Sequence, residues 1–180
     1  MTISVIGLNH KSANIDIREK FSFTADSASL LLRRIKKVRD ILEVIVVSTC
    51  NRTEIYCESA NGADDIKNWL LSEKEYKSFA KHLYIYQEED AIEHLFKVVA
   101  GLDSMVIGES EVLGQVKTAY KIALDNKSID GKLKRLFEYS FSVAKNVRTN
   151  TDIGGNAISF MYTSILLIKK IFSTVEEKKC

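Results

Sequence analysis

The 180-residue sequence contains no proline, a gap that composition alone does not explain. Cysteine is scarce too. Cys50, Cys57 and Cys180 form an odd, sparse set without paired metal-type spacing, which argues against a disulfide framework and for a reducing compartment. The opening residues, MTISVIGLNHKSANID, lack the basic start and long apolar stretch of a signal peptide. No apolar run approaches the roughly 20 residues needed to cross a bilayer, so neither a span nor a membrane partner is expected. The expected location is cytoplasmic. Charge of one sign is also lacking: 26 Lys and Arg against 24 acids leave +2. So slight an excess neither requires nor excludes an RNA partner, because patches matter more than totals. What the composition does supply is 46% hydrophobic residues, enough for the core of a compact domain.

Ile3 to Leu8, rich in β-branched residues, predicts a first strand. Thr24 to Asp26 offer helix N-caps ahead of an apolar pattern at Ala28, Leu31, Leu32 and Ile35. That helix carries a basic run, Arg33, Arg34, Lys36, Lys37 and Arg39, suited to a solvated face or to RNA phosphates. Ile41 to Ser48 reads as a buried strand, and Thr53 to Glu58 alternates, giving a hairpin with Cys50 at its turn. A helix over Asp64 to Leu71 and a short strand over His82 to Tyr86 follow. This order is ferredoxin-like: an α+β fold with an antiparallel sheet carrying helices on one face.

From Glu88 the pattern turns helical, with apolar stripes from Ala91 to Val99, Val112 to Ala123 and Leu133 to Val147. Residues 1–154 are expected to form one domain, about 1–87 being the α/β part and 88–154 a helical part. Gly154-Gly155 then precede a last helix, Ile158 to Ile171, within segment 155–180.

Ser48-Thr49-Cys50-Asn51-Arg52-Thr53-Glu54 concentrates reactive groups at a strand end. A thiol at a turn can reach substrate and is the best unassisted nucleophile among side chains. Arg52 could grip a carboxylate in a two-pronged fashion, and Glu54 could pair with an ammonium. An amino-acid substrate would suit both; a structural cysteine beside a surface ion pair is the plainer alternative. Between Gly101 and Lys117, Ser104, Glu109 and Gln115 offer hydrogen-bonding groups on a glycine-bounded loop, and Ser110 could cap the next helix. That loop lacks a phosphate-loop signature. His94 lies among apolar neighbours, where a core role competes with a catalytic one. No set of residues has metal-ligand spacing.

Taken in order, these segments resemble the glutamyl-tRNA reductases. Gly7-Leu8-Asn9-His10-Lys11, unbroken Ser48 to Glu54, His94-Leu95-Phe96, Gly101 to Ser104, Gly108-Glu109, Leu113 to Lys117 and Val143 to Thr149 carry the resemblance. It implies that Cys50 attacks the ester joining glutamate to tRNA, forming a thioester that NADPH reduces to glutamate-1-semialdehyde for tetrapyrrole synthesis. It assigns Thr49, Asn51, Arg52, Glu54, Ser104, Glu109, Ser110, Glu111 and Gln115 to substrate binding, and a catalytic role to His94. One departure touches the site: where many members have Gly-Glu-Pro-Gln, this chain has Gly108-Glu109-Ser110-Glu111, a carboxylate replacing a neutral amide.

The resemblance also implies that segment 155–180 begins a long spine helix, which in the family leads to nucleotide-binding and dimerisation domains. No Gly-x-Gly-x-x-Gly occurs in the 180 residues. The chain is therefore expected neither to bind NADPH nor to make the aldehyde by itself. Glutamyl-tRNA is the implied partner, with glutamate-1-semialdehyde aminotransferase as a second candidate. The family implies a homodimer; this chain is expected to be a monomer, or a dimer without functional meaning through Ile158, Leu166, Leu167 and Ile171. Two other readings stay open: a non-catalytic tRNA-binding or regulatory module, and an independent cysteine esterase.

Overall fold

A computed structural model describes residues 1–109 and 111–154. The expectations for Ser110 and for segment 155–180, Cys180 included, lie outside the described residues. The elements run β1 (Thr2–Asn9), α1 (Ile15–Lys20), α2 (Ala25–Ile35), β2 (Ile41–Ser48), β3 (Arg52–Ser59), α3 (Ala63–Ser72), β4 (Tyr84–Gln87), α4 (Glu88–Val99), α5 (Glu111–Asp125) and α6 (Lys132–Asn150). Short 3-10 turns occupy Lys77–His82 and Asp152–Gly154. The first of these takes His82, which the sequence reading gave to the fourth strand. Helix α1 was not anticipated; its signal is Asn14, whose side chain caps the N–H of Ile17 at 3.1 Å. Thr24 caps α2 as expected, through the N–H of Ser27.

The four strands form one antiparallel sheet in the order β2-β3-β1-β4, the ferredoxin-like arrangement. Register divides its side chains into two faces. Ile6, Ile55 and Val46 lie side by side on one face, against α2 and α3. The other face carries Val5, Gly7, Ile45, Val47, Arg52, Glu54, Tyr56, Glu58, Tyr84 and Tyr86.

Helices were expected on one face only, and here the structure differs. All eight residues of β3 are buried, because α4 and α6 close over the second face. Glu54 meets His94 of α4, the Tyr56 ring packs edge-on to Phe137 of α6, and Glu58 pairs with Lys132. An alternation of polar and apolar residues normally marks one wet face. In β3 the polar positions instead find partners on helices far along the chain.

Glu43 ties α6 to the sheet. Its buried carboxylate accepts N–H bonds from Asp130 and Gly131 at 2.6 Å and from Leu133 at 2.7 Å. Those donors belong to the entry of α6, where helical N–H groups have no partner of their own. The outer edge of β2 is engaged in turn by the segment after α5, through Val44 N–H to the Ser128 carbonyl at 2.9 Å. A single apolar core runs through both parts of the chain, from Val5 and Ile55 to Val98, Val116 and Phe137.

Candidate active site

The hairpin between β2 and β3 turns through Thr49-Cys50-Asn51. Thr49 fixes its shape: its hydroxyl accepts from the N–H of Asn51 (3.2 Å) and of Arg52 (3.1 Å), and its own N–H reaches the Arg52 carbonyl at 2.8 Å. The Asn51 carbonyl is held from outside by the N–H of His10 at 3.0 Å. A turn tied on both sides leaves Cys50 exposed at its apex. By contrast Cys57, inside β3, is buried, and burial pushes its thiol up to about 12.

Cys50 opens on a narrow cleft with a free volume of about 10 Å³. Thr49, Asn51 and Arg52 of the hairpin line one side. Ser104 and Glu109 of the α4–α5 loop and Glu111, Val112 and Gln115 of α5 line the other. Most residues singled out from the sequence therefore meet, although some 60 positions separate the two stretches. That volume holds about one water molecule, far below the about 300–1,000 Å³ of small-molecule pockets, so an amino-acid-sized group enters only as the two walls part.

The loop is shaped by Gly108, whose φ of +84° suits glycine; a Cβ there would lie 2.1 Å from the Ile153 carbonyl. Arg148 of α6 donates to the Gly108 and Glu109 carbonyls at 3.1 and 2.7 Å, so α6 clamps the wall opposite Cys50. The buried Ser104 hydroxyl has no hydrogen-bond partner among the described residues. Partial burial, then the negative charges of Glu109 and Glu111, raise the Cys50 thiol. Burial and the neighbouring Glu111 likewise raise the Glu109 carboxyl. The free cleft thus favours protonated groups.

Behind the cleft lies a charged layer. The Arg52 side chain, 1% exposed, donates to Glu54 at 2.9 Å and to the Asp103 carboxylate at 3.0 and 3.1 Å, and also bonds the Asp103 carbonyl. Lys11 pairs with the same Asp103 carboxylate. Glu54 is fully buried and accepts from Arg52, Tyr56 (2.7 Å), Tyr84 (2.5 Å) and His94 (2.8 Å). Burial alone would raise its carboxyl; the His94 bond, the Arg52 charge and the Tyr84 hydroxyl outweigh that and hold it at about 2. Since Glu54 is ionised, the His94 Nε2 facing it carries a hydrogen.

Glu54 and His94, both expected at the site, do not line the cleft; they stand behind Arg52. His94 borders a separate depression with Tyr86, Asp90, Glu93, Lys97 and Asp103, and its ring lies 4.9 Å from that of Tyr86. Sequence reasoning missed Asp103, Lys11 and the two tyrosines. Asp103 and Lys11 stood inside quoted motifs, but nothing in the linear order joins either to Arg52. Among the described residues no group of three or more His, Cys, Asp or Glu side chains could hold a metal ion, and no helix is long and apolar enough to cross a membrane.

The family model described as "Glutamyl-tRNAGlu reductase, N-terminal domain" matches residues 6–151. The glutamyl-tRNA reductase of Idiomarina loihiensis is 41% identical over 181 residues, covering 99% of this chain and 43% of that protein. That of Aliivibrio salmonicida is 44% identical over 184 residues, with 98% and 43% covered. The chain thus spans less than half the length of these relatives. In structure it is similar to the glutamyl-tRNA reductase from Methanopyrus kandleri, with a TM-score of 0.70 and 24% identity over 93% of this chain and 39% of that one, which shows a shared fold. With 146 consecutive positions inside the family match, the chain belongs to the glutamyl-tRNA reductase family, in the N-terminal domain.

Proposed function

We propose that this chain is the catalytic domain of a glutamyl-tRNA reductase, in which Cys50 takes the glutamyl group from tRNA as a thioester. The observation that carries this reading is the cleft itself. It sets an exposed thiol among two carboxylates, an amide and a buried hydroxyl that has no hydrogen-bond partner among the described residues. Glu109 and Glu111 suit the α-ammonium of a glutamyl group. Ser104 and Gln115 supply neutral donors for its side-chain carboxylate, with the Arg52 charge behind them.

The charge pattern gives the binding step a chemical consequence. The carboxylates that raise the Cys50 thiol are those that an incoming ammonium would neutralise, so substrate itself favours ionisation of the nucleophile. Glu109, its own carboxyl raised toward the thiol, is the proton acceptor in this scheme. Sγ then bonds the ester carbonyl carbon, the bond from that carbon to the ribose oxygen breaks, and the proton passes to the departing oxygen. Arg52, Glu54 and His94 act from behind as positioning residues, holding the hairpin against the α4–α5 loop.

In the full-length enzyme NADPH would supply hydride to the thioester, giving glutamate-1-semialdehyde. Among the described residues no strand leads through a Gly-x-Gly-x-x-Gly turn into a helix, the unit that seats a dinucleotide. A thioester left without hydride is open to water, which makes this chain a slow glutamyl-tRNA esterase.

The test is transfer of radiolabelled glutamate from tRNA to protein without NADPH. Label removable by hydroxylamine is expected on the parent and absent from Cys50→Ser. Equal labelling of both would place the nucleophile elsewhere, and absence of label and of released glutamate from the parent would sink the reading.

A further inference from the structure

A second concavity, about 420 Å³, lies between α5 and α6. Among the described residues its charged lining is basic: Lys117 from α5, and Lys145 and Arg148 from α6. Leu113 and Phe141 give it an apolar floor, and the hydroxyls of Ser142 and Thr149 add neutral hydrogen-bonding groups. Among the described residues neither lysine is in an ion pair, although Lys117 sits 5.7 Å from the centre of the Phe141 ring.

The groove lies across α5 from the Cys50 cleft: Glu111 and Gln115 line the cleft, while Leu113 and Lys117, on the other side of the helix, line the groove. Arg148 lines the groove while holding the carbonyl of Glu109, a cleft residue. From Phe141 to Thr149 the groove follows α6 for about 12 Å, longer than one small anion occupies.

The basic run noticed in the sequence of α2 is a weaker candidate. Arg34 is spent on Glu73 and Glu75 at 2.7 and 2.5 Å and lies over the Trp69 and Tyr76 rings. Arg33 bonds Asn126 and Lys36 the Leu42 carbonyl. Those charges brace the fold, whereas Lys117 and Lys145 line a groove joined to the cleft wall through Arg148.

We propose that the α5–α6 groove carries the sugar-phosphate backbone of the RNA whose esterified end enters the Cys50 cleft. The inference rests on the function proposed above and assigns it an RNA-binding surface. Lys117 and Lys145 hold successive phosphates as point charges. Arg148, committed to the loop carbonyls, couples an occupied groove to the wall of the cleft.

The experiment uses the 180-residue chain, glutamyl-tRNA and the pair Lys117→Ala with Lys145→Ala, following labelling of Cys50 against tRNA concentration at several salt concentrations. The half-saturating concentration is expected to rise on the order of tenfold, with the maximal labelling unchanged. The dependence of log affinity on log salt should flatten by roughly 0.7–0.9 for each lysine removed. The rate of Cys50 alkylation by iodoacetamide, which needs no RNA, should not change. Lys117→Arg with Lys145→Arg should bind like the parent.

Parent-like half-saturation and salt slope in the alanine pair would overturn the groove while leaving the thioester reading intact. Loss in the arginine pair equal to that in the alanine pair would also overturn it. A parent that takes no label overturns both. If the alanine pair alters alkylation, the same outcomes are read from Lys117→Gln with Lys145→Gln.

Discussion

At the scale of single residues, the chemistry is set by what surrounds two groups. The Cys50 thiol is raised by its burial and by Glu109 and Glu111, so removing those charges must lower it. In Glu109→Gln with Glu111→Gln, the pH midpoint for iodoacetamide alkylation of Cys50 is expected to fall below the parent's. An unchanged or higher midpoint would show that the two carboxylates do not set the thiol. Glu54 is the opposite case, a carboxylate kept ionised by four donors. Its folded value of about 2 lies below the ordinary 4.5, so its stabilisation is present above about 4.5 and is lost as pH falls toward 2. The span corresponds to about 3 kcal/mol. Urea titrations of parent and Glu54→Gln should therefore differ most near neutral pH and converge by pH 2. A constant gap would mean that the network does not hold Glu54 ionised.

At the scale of elements, the site depends on how strands and helices are tied. Gly7 of β1 stands opposite Glu54, and a Cβ there would lie 2.6 Å from the Thr53 carbonyl and 2.8 Å from Glu54 Cγ. The glycine opening the first sequence motif is thus the space into which the Glu54 side chain fits. Glu43 does comparable work for α6, answering three N–H groups at its entry. Glu43→Ala would leave those donors without their acceptor and is expected to cost about 3 kcal/mol. Urea unfolding measures this, and a loss under about 0.5 kcal/mol, the size of an ordinary surface change, would show that the tie is dispensable.

At the scale of the whole molecule, the two halves of the chain share one core. The sheet face bearing Glu54, Tyr56 and Glu58 has its partners on α4 and α6. Residues 1–87 expressed alone would expose that face, with a buried carboxylate stripped of His94. They are expected to give poorly dispersed amide NMR spectra and no cooperative melt, whereas 1–154 melts in one transition. A cooperatively folded 1–87 would overturn this view of a single unit.

The sequence determined the local elements and the place of Cys50, the proposed nucleophile, at a hairpin turn. The β-branched density of Ile41–Ser48, the Thr24 cap and the stripes of α4 to α6 rest on neighbours within a few residues, which a linear reading sees. The family motifs named most of the cleft, because they contain the residues that form it. Only the tertiary structure decided that Arg52 is already bound by Glu54 and Asp103, that His94 stands behind the cleft, and that three bases of α5 and α6 share one groove. Each depends on contacts between segments tens of residues apart. A side chain's role there is set by which partner reaches it and by what is left to face solvent, and neither is written in the local pattern.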